Sequence, residues 1–229
     1  MYAGVALRRL QRLDEAVASI SRATEMFKAN SDIDAYCSCL STLADCFRDD
    51  SRLEEALEKY REACAMQGDE GSGMTPSIAA LTRPYTLAQV GECLGLLGHR
   101  AEAITTLTEA IALMEQFQLN YRQARALEAL AAVLTEEGRT GESRRAYTRA
   151  AEVFEAIGDV EASSRCATWR PPHPDTPKAG VRGISACCSA WSGPFRTTWI
   201  ERTGQALGLS IQVRSDHDDH QEKANSSAS

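Results

Sequence analysis

The stretch Glu55-Ala56-Leu57-Glu58-Lys59-Tyr60-Arg61-Glu62-Ala63 decides the fold, because its pattern recurs along the chain. An acid precedes a small residue, a bulky residue follows one turn later, and a second small residue comes three positions after that. The same order stands at Glu15-Ala16, Ile20 and Ala23, at Glu102-Ala103, Leu107 and Ala110, and at Glu142-Ser143, Tyr147 and Ala150. From one copy to the next, the small residues 16, 56, 103 and 143 lie 40, 47 and 40 positions apart. Offsets of four and three residues put the marked positions on one face of a helix.

A second helix precedes each of these. It carries Leu40, Leu43, Ala44 and Phe47 in the second unit and Leu87, Val90, Gly91 and Leu94 in the third. The fourth unit has Leu127, Leu130, Ala131 and Leu134, and the first keeps only Gly4 and Leu7. Each unit is therefore a pair of amphipathic helices, A then B, with a small residue where the two must approach. Polar turns separate them at Arg48–Ser51, Leu97–Arg100 and Glu136–Arg139, and Gly98 and Gly138 sit where a helix end takes a left-handed residue.

This register of small and bulky residues resembles the tetratricopeptide repeat (TPR). The resemblance implies an all-α, TPR-like helix-pair solenoid of about four repeats over residues 1–166, with eight antiparallel helices, followed by an irregular tail over 167–229. Two departures stand out. The proline that usually closes the repeat is replaced by Lys28, Gly68, Glu115 and Glu155. Helix B is accordingly expected to run on by a turn, which lengthens the period from about 34 to 40. The third unit is delayed by seven further residues, the difference between 47 and 40, which we place in the loop Gly68–Gly73. That loop lacks the strand before it and the Lys-Ser/Thr after it that a phosphate-binding loop needs.

Composition narrows the function. Up to Arg165 there are 26 acids against 18 bases, a net charge of −8, and beyond it 6 against 7, a net of +1. An acidic helical body is a poor partner for a phosphate backbone, so nucleic-acid binding is not expected. No stretch reaches the ~20 apolar residues of a membrane span, and the order of charges at the start is wrong for a secretory signal, so the chain reads as cytoplasmic. Cys37, Cys39, Cys46, Cys64 and Cys93 fall in helical patterns and are expected to pack as small hydrophobes. No cofactor, metal site or catalytic site is expected.

Both ends of the array look incomplete. The first helix A lacks the residues that would match Cys37–Leu40, and a fifth helix A begins at Asp159-Val160-Glu161-Ala162 but meets Pro171 and Pro172. Tyr147, Ala151 and Phe154 of the last B helix are therefore expected to be open, with self-association as one remedy and cover by Trp169, Trp191 or Trp199 as another. From about Thr168 no period is detectable. The tail is read either as a natural low-complexity extension or as out-of-register sequence, mostly disordered, with one short helix over Thr198–Leu209. Asp216-His217-Asp218-Asp219-His220 has metal-ligating atoms but no scaffold to fix them.

Partners of such a solenoid usually meet its inner, A-helix face. The A-helix residues that do not serve the core are Arg8, Arg9, Ser41, Asp45, Arg48, Asp49, Tyr85, Ala88, Glu92, Arg125, Glu128 and Glu136. Their charges are expected to be solvated, and they form the candidate site for a protein or peptide ligand. They lack the Lys/Asn pairs with which chaperone-binding TPR proteins hold a carboxylate. The 40-residue period and the links Ser31-Asp32-Ile33-Asp34-Ala35 and Gly158-Asp159-Val160-Glu161-Ala162 resemble the C-terminal TPR regions of large bacterial regulators. Those are the antibiotic regulatory proteins of actinomycetes (SARP-type) and related signal-transduction ATPases. The resemblance implies a regulatory scaffold, the sensor fragment of a larger signalling or transcriptional regulator. A stand-alone peptide-sensing receptor is the alternative, and a metal-dependent hydrolase using the terminal His/Asp cluster is the remote one.

Overall fold

The computed structural model describes residues 1–168, all within one structural unit. Among the described residues the chain forms nine α-helices and no strand. They are α1 (Tyr2–Arg9), α2 (Leu13–Ala29), α3 (Ile33–Asp49), α4 (Leu53–Gly68), α5 (Pro76–Leu96), α6 (Arg100–Gln116), α7 (Asn120–Glu136), α8 (Thr140–Ala156) and α9 (Val160–Ala167). A 3-10 turn, Glu70–Ser72, precedes α5. Odd-numbered helices are the A helices and even-numbered ones the B helices. Each helix packs on the next, and α5 also approaches both α3 and α7, so the A helices make the inner layer of a TPR-like helix-pair solenoid.

The repeated small residues are what let A and B close. A Cβ on Gly4 would stand 2.3 Å from Ile20 Cγ1, and one on Gly91 would stand 2.6 Å from Leu107 Cγ. Ala44 and Ala131, at the matching positions, are fully buried, as are Ala16, Ala56, Ala103 and Ser143 on the B helices. The core runs through the whole array along this seam and includes Tyr60, Leu94, Leu107, Met114, Val133 and Phe154.

The period of 40 has a simple composition. Helices α2, α3, α6, α7 and α8 are each 17 residues long, and seven of the eight links have three residues, which makes a 20-residue unit. Helix A is therefore as long as helix B. The middle residue of each three-residue link has positive φ: Gln11, Ser31, Ser51, Gly98, Gln118, Gly138 and Gly158. The next residue donates its N–H to the carbonyl five positions back, as in Asp32 to Phe27 (3.0 Å), His99 to Leu94 (2.8 Å) and Arg139 to Leu134 (2.9 Å). This closure satisfies carbonyls that a helix end leaves open. Gly98 and Gly138 behave as expected, with φ of 84° and 83°.

The seven-residue delay is not confined to the loop. The link 69–75 has four residues more than the others, α5 is four longer than α3, and α4 is one shorter. Asp34 of α3 anchors the longer start of α5, accepting from Thr75 N (3.0 Å) and Thr75 Oγ1 (2.6 Å). Pro76 stands at the first helical position, where a missing N–H costs nothing.

The C-terminal strip is a second correction. The copy beginning at Asp159 stays helical through Ala167, which adds a ninth helix to the eight expected. Asp159 caps it, accepting from Ala162 N at 3.0 Å. Ala162 and Cys166 join the core beside α8, and Ala151 and Phe154 are buried rather than open. Tyr121 meets the Phe154 ring edge-on at 6.1 Å between centroids. Arg144 of α8 takes the place held by Val17, Leu57 and Ile104 in the other B helices and is exposed. The expectation of an open strip on α8, and the self-association drawn from it, therefore lose their C-terminal support. The calls made on residues 169–229, including the Thr198–Leu209 helix, the Asp216–His220 cluster and the tryptophans, lie outside the described residues.

Candidate partner-binding face

The A helices carry the candidate residues, and the structure places most of them in ion pairs, one group joining α1, α3 and α5 and another joining α7 and α9. Arg8 and Arg48 are 40 positions apart and Asp45 and Glu92 are 47 apart, the same offsets as the repeats. Each arginine reaches the acid on the next A helix. Arg8 donates to Asp45 Oδ2 (2.7 Å) and Asp49 Oδ2 (2.6 Å). Arg48 donates to Gln89 and stands 3.7 Å from Asp45, Asp49 and Glu92. The Tyr60 hydroxyl, from α4, donates to Asp45 as well. On α7, Arg125 pairs with Glu128, which also accepts from Arg165 Nη2 (3.2 Å) and Cys166 Sγ (3.3 Å) of α9.

Solvated side chains were expected at these positions, and burial overturns that for five of the nine charged ones. Arg8, Asp45, Arg48, Glu92 and Glu128 are all buried, and so is Ala88. The physical reason is the short distance between successive A helices, which closes the space a solvated face would need. Charges removed from water persist only when paired and hydrogen-bonded, and the repeat period supplies the pairing. Burial opposes the Arg8 charge, yet Asp45 and Asp49 outweigh it and hold its pKa above the ordinary value. Burial pushes the Glu92 carboxyl up, against Arg48 and Arg125, which favour its charge. The Tyr60 hydroxyl is raised well above 10 by burial and by Asp45, so it remains a donor.

Other members stay within reach. Arg9 is exposed, and the Asp49 and Glu136 side chains are 27% and 21% exposed, Glu136 standing 3.6 Å from Arg100. Tyr85 is half-buried, with the Arg122 guanidinium 4.8 Å above its ring, whereas the Arg125 side chain is only 10% exposed. Sequence reasoning missed Tyr60 and Gln89 in the first group and Arg165 and Cys166 in the second. The equal spacing of Arg8 with Arg48, and of Arg125 with Arg165, was the signal available.

The cysteines pack as expected. Cys37, Cys39, Cys46, Cys93 and Cys166 are buried, and burial first of all raises Cys37 and Cys46 to about 11 and Cys64, Cys93 and Cys166 to about 12. Thiols held so high are poor nucleophiles. Among the described residues no group of three or more His, Cys, Asp or Glu side chains is placed to hold a metal, and no helix is long and apolar enough to cross a membrane. A shallow depression lies between the α5–α6 turn at Gly98–Glu102 and Glu137 of the α7–α8 turn.

A family model for the tetratricopeptide repeat matches residues 1–68. With the fold, this supports a tetratricopeptide-repeat protein, a class of protein-interaction scaffold. Among solved structures, BtubC (BKLC) from P. vanneervenii is similar at 14% identity with a TM-score of 0.44, over 89% of this chain and 95% of that one. No curated protein matches the sequence.

Proposed function

We propose that the inner layer of A helices receives a protein or peptide partner, and that the chain is the regulatory TPR part of a larger bacterial signalling or transcriptional regulator. The observation that carries the first half is the set of ion pairs between A helices, Arg8 with Asp45, Arg48 with Glu92 and Arg165 with the buried Glu128. It fixes the frame on which Arg9, Asp49, Tyr85, Arg125 and Glu136 stand. A face ordered before its partner arrives avoids part of the entropic cost of binding. What supports the second half is the 40-residue period and the Asp-capped links at Asp32 and Asp159, the features shared with the regulators named above.

Photo-crosslinking tests both halves. A reactive side chain replaces Asp49 or Tyr85 on the inner layer, and Glu58 or Arg145 on the B helices. Adducts with one defined partner are expected from the inner positions alone, and equal adducts from the B helices would refute the inner-layer reading. The regulator reading expects the captured protein to carry an ATPase or DNA-binding domain, and a partner with neither contradicts it.

A further inference from the structure

One edge of the array differs from the other. It is the edge at which A helices begin and B helices end. Eight large apolar side chains are exposed among the described residues, and six of them lie there: Met26, Ile78, Leu81, Tyr121, Ile157 and Val160. Leu10 stands on the opposite edge. Leu81 and Tyr121 are 50% and 52% exposed and Val160 73%, so these are not core residues caught at a boundary. Leu81 and Tyr121 belong together, because Arg122 of α7 donates to the Leu81 carbonyl at 3.3 Å. The start of α5 that carries Ile78 and Leu81 is the segment lengthened beyond the common unit and held by Asp34. Exposed apolar groups that adjoin one another, as those of Leu81 and Tyr121 do, mark interaction sites where scattered ones do not.

The charge around them is mainly acidic, with Arg83 of α5 paired to Glu109. Asp69 and Glu70 lead into α5, Glu155 stands in the last turn of α8, and Glu161 in the first turn of α9. Of the four B helices only α2 has a base in its last turn, Lys28. A helix C-terminus favours a cation, so an acid such as Glu155 there is unfavourable until a positive group arrives. Lys28 and Arg122 are already engaged, over the rings of Tyr36 and Tyr85. The described residues as a whole carry the net charge of −8.

We infer that this edge is a second docking surface, and that it takes a basic, amphipathic segment of a protein partner. Apolar side chains of that segment cover Leu81, Tyr121 and Val160, and its lysines or arginines meet Glu70, Glu155 and Glu161. This goes beyond the inner-layer reading, and the two fail separately: crosslinks from Asp49 and Tyr85 report on the inner layer, and the experiment below reports on the edge alone.

The full chain is titrated at physiological salt with three labelled peptides. One is a Leu/Lys amphipathic helix, one a Leu/Glu peptide with the same apolar face, and one a Lys/Ser peptide of equal charge with no apolar face. Saturable binding is expected for the first only. Leu81→Ser combined with Val160→Ser should weaken it by about tenfold, whereas Leu10→Ser on the other edge should leave it unchanged. Glu70→Lys combined with Glu161→Lys tests the charge half separately and should also weaken it. Both pairs are exposed, so unchanged helical circular dichroism is expected. Equal binding of the Leu/Glu peptide, equal effects of Leu10→Ser and the edge pair, or no saturable binding would overturn the inference.

Discussion

Gly91 and Gly141 both lie in helices, but their surroundings give opposite expectations for the same substitution. A methyl group at Gly91 would press on Leu107 Cγ at 2.6 Å, whereas nothing lies within 4 Å of the position it would take at Gly141. Alanine gains about 1 kcal/mol over glycine in a helix interior, and overpacking a filled core costs about 1–3 kcal/mol. Urea unfolding should therefore show Gly91→Ala destabilised and Gly141→Ala unchanged or stabilised; a gain at Gly91 would refute the close approach of α5 to α6. Glu92 gives a pH-dependent expectation. Burial raises its folded pKa above the ordinary 4.5, so the stability it contributes is fully present below 4.5 and is lost as pH rises through the raised value. Stability of Glu92→Gln relative to the parent should accordingly increase as pH rises from 4.5 through the raised value and level off above it, and a flat difference between pH 4 and pH 8 would contradict the burial. At this scale the sequence was legible where size decides, as at Gly4, Ala56 and Gly91. It was not legible where charge meets burial, because a lone Glu92 in a helix pattern reads as surface until the neighbouring A helix is known to be near.

The element that repeats is a helix of 17 residues and a link of three, and the link explains both what was visible and what was not. Gly98, Gly138 and Gly158 announce the left-handed position, but Gln11, Ser31, Ser51 and Gln118 take the same conformation without glycine, with φ between 55° and 62°. The hydrogen bonds of the closure and the helices on either side fix the backbone there, so residue type follows geometry instead of signalling it. Left-handed φ costs an L-residue about 1–2 kcal/mol, part of which glycine recovers at the expense of chain entropy. Gln118→Gly should therefore raise the midpoint of unfolding slightly, and Gly138→Ala should lower stability by about 1 kcal/mol. Loss of stability on Gln118→Gly would mean that the glutamine side chain matters more than its backbone. The seven-residue delay was seen as a number but assigned wholly to the loop, since the first turn of α5, Pro76-Ser77-Ile78-Ala79, carries loop-like residues. Asp34 makes a helix of it from the neighbouring repeat, and a contact of that range leaves no local signal.

Across the array of residues 1–168, the same period that closes the apolar seam also closes the ionic one. Arg8 and Arg48 occupy matching places on consecutive A helices, and each finds its acid on the next. The apolar half of this design was legible because small residues at fixed offsets have few other readings. The ionic half was read as a solvated face, since arginine and aspartate at 40-residue spacing look the same in water and in a buried chain. Removing one partner of a buried pair leaves an uncompensated charge and costs about 3–5 kcal/mol, so Asp45→Ala, which strips Arg8 and Tyr60 of an acceptor and Arg48 of a counter-charge, should be among the most destabilising single changes. Whether the inner-layer charges are ties between repeats or a solvated face is measured most directly by a double-mutant cycle. Arg8→Met, Asp45→Leu and the double variant are unfolded in urea, and the coupling energy is taken from the four stabilities. A tie between repeats predicts a favourable coupling of about 1–3 kcal/mol, and a coupling indistinguishable from zero would contradict it.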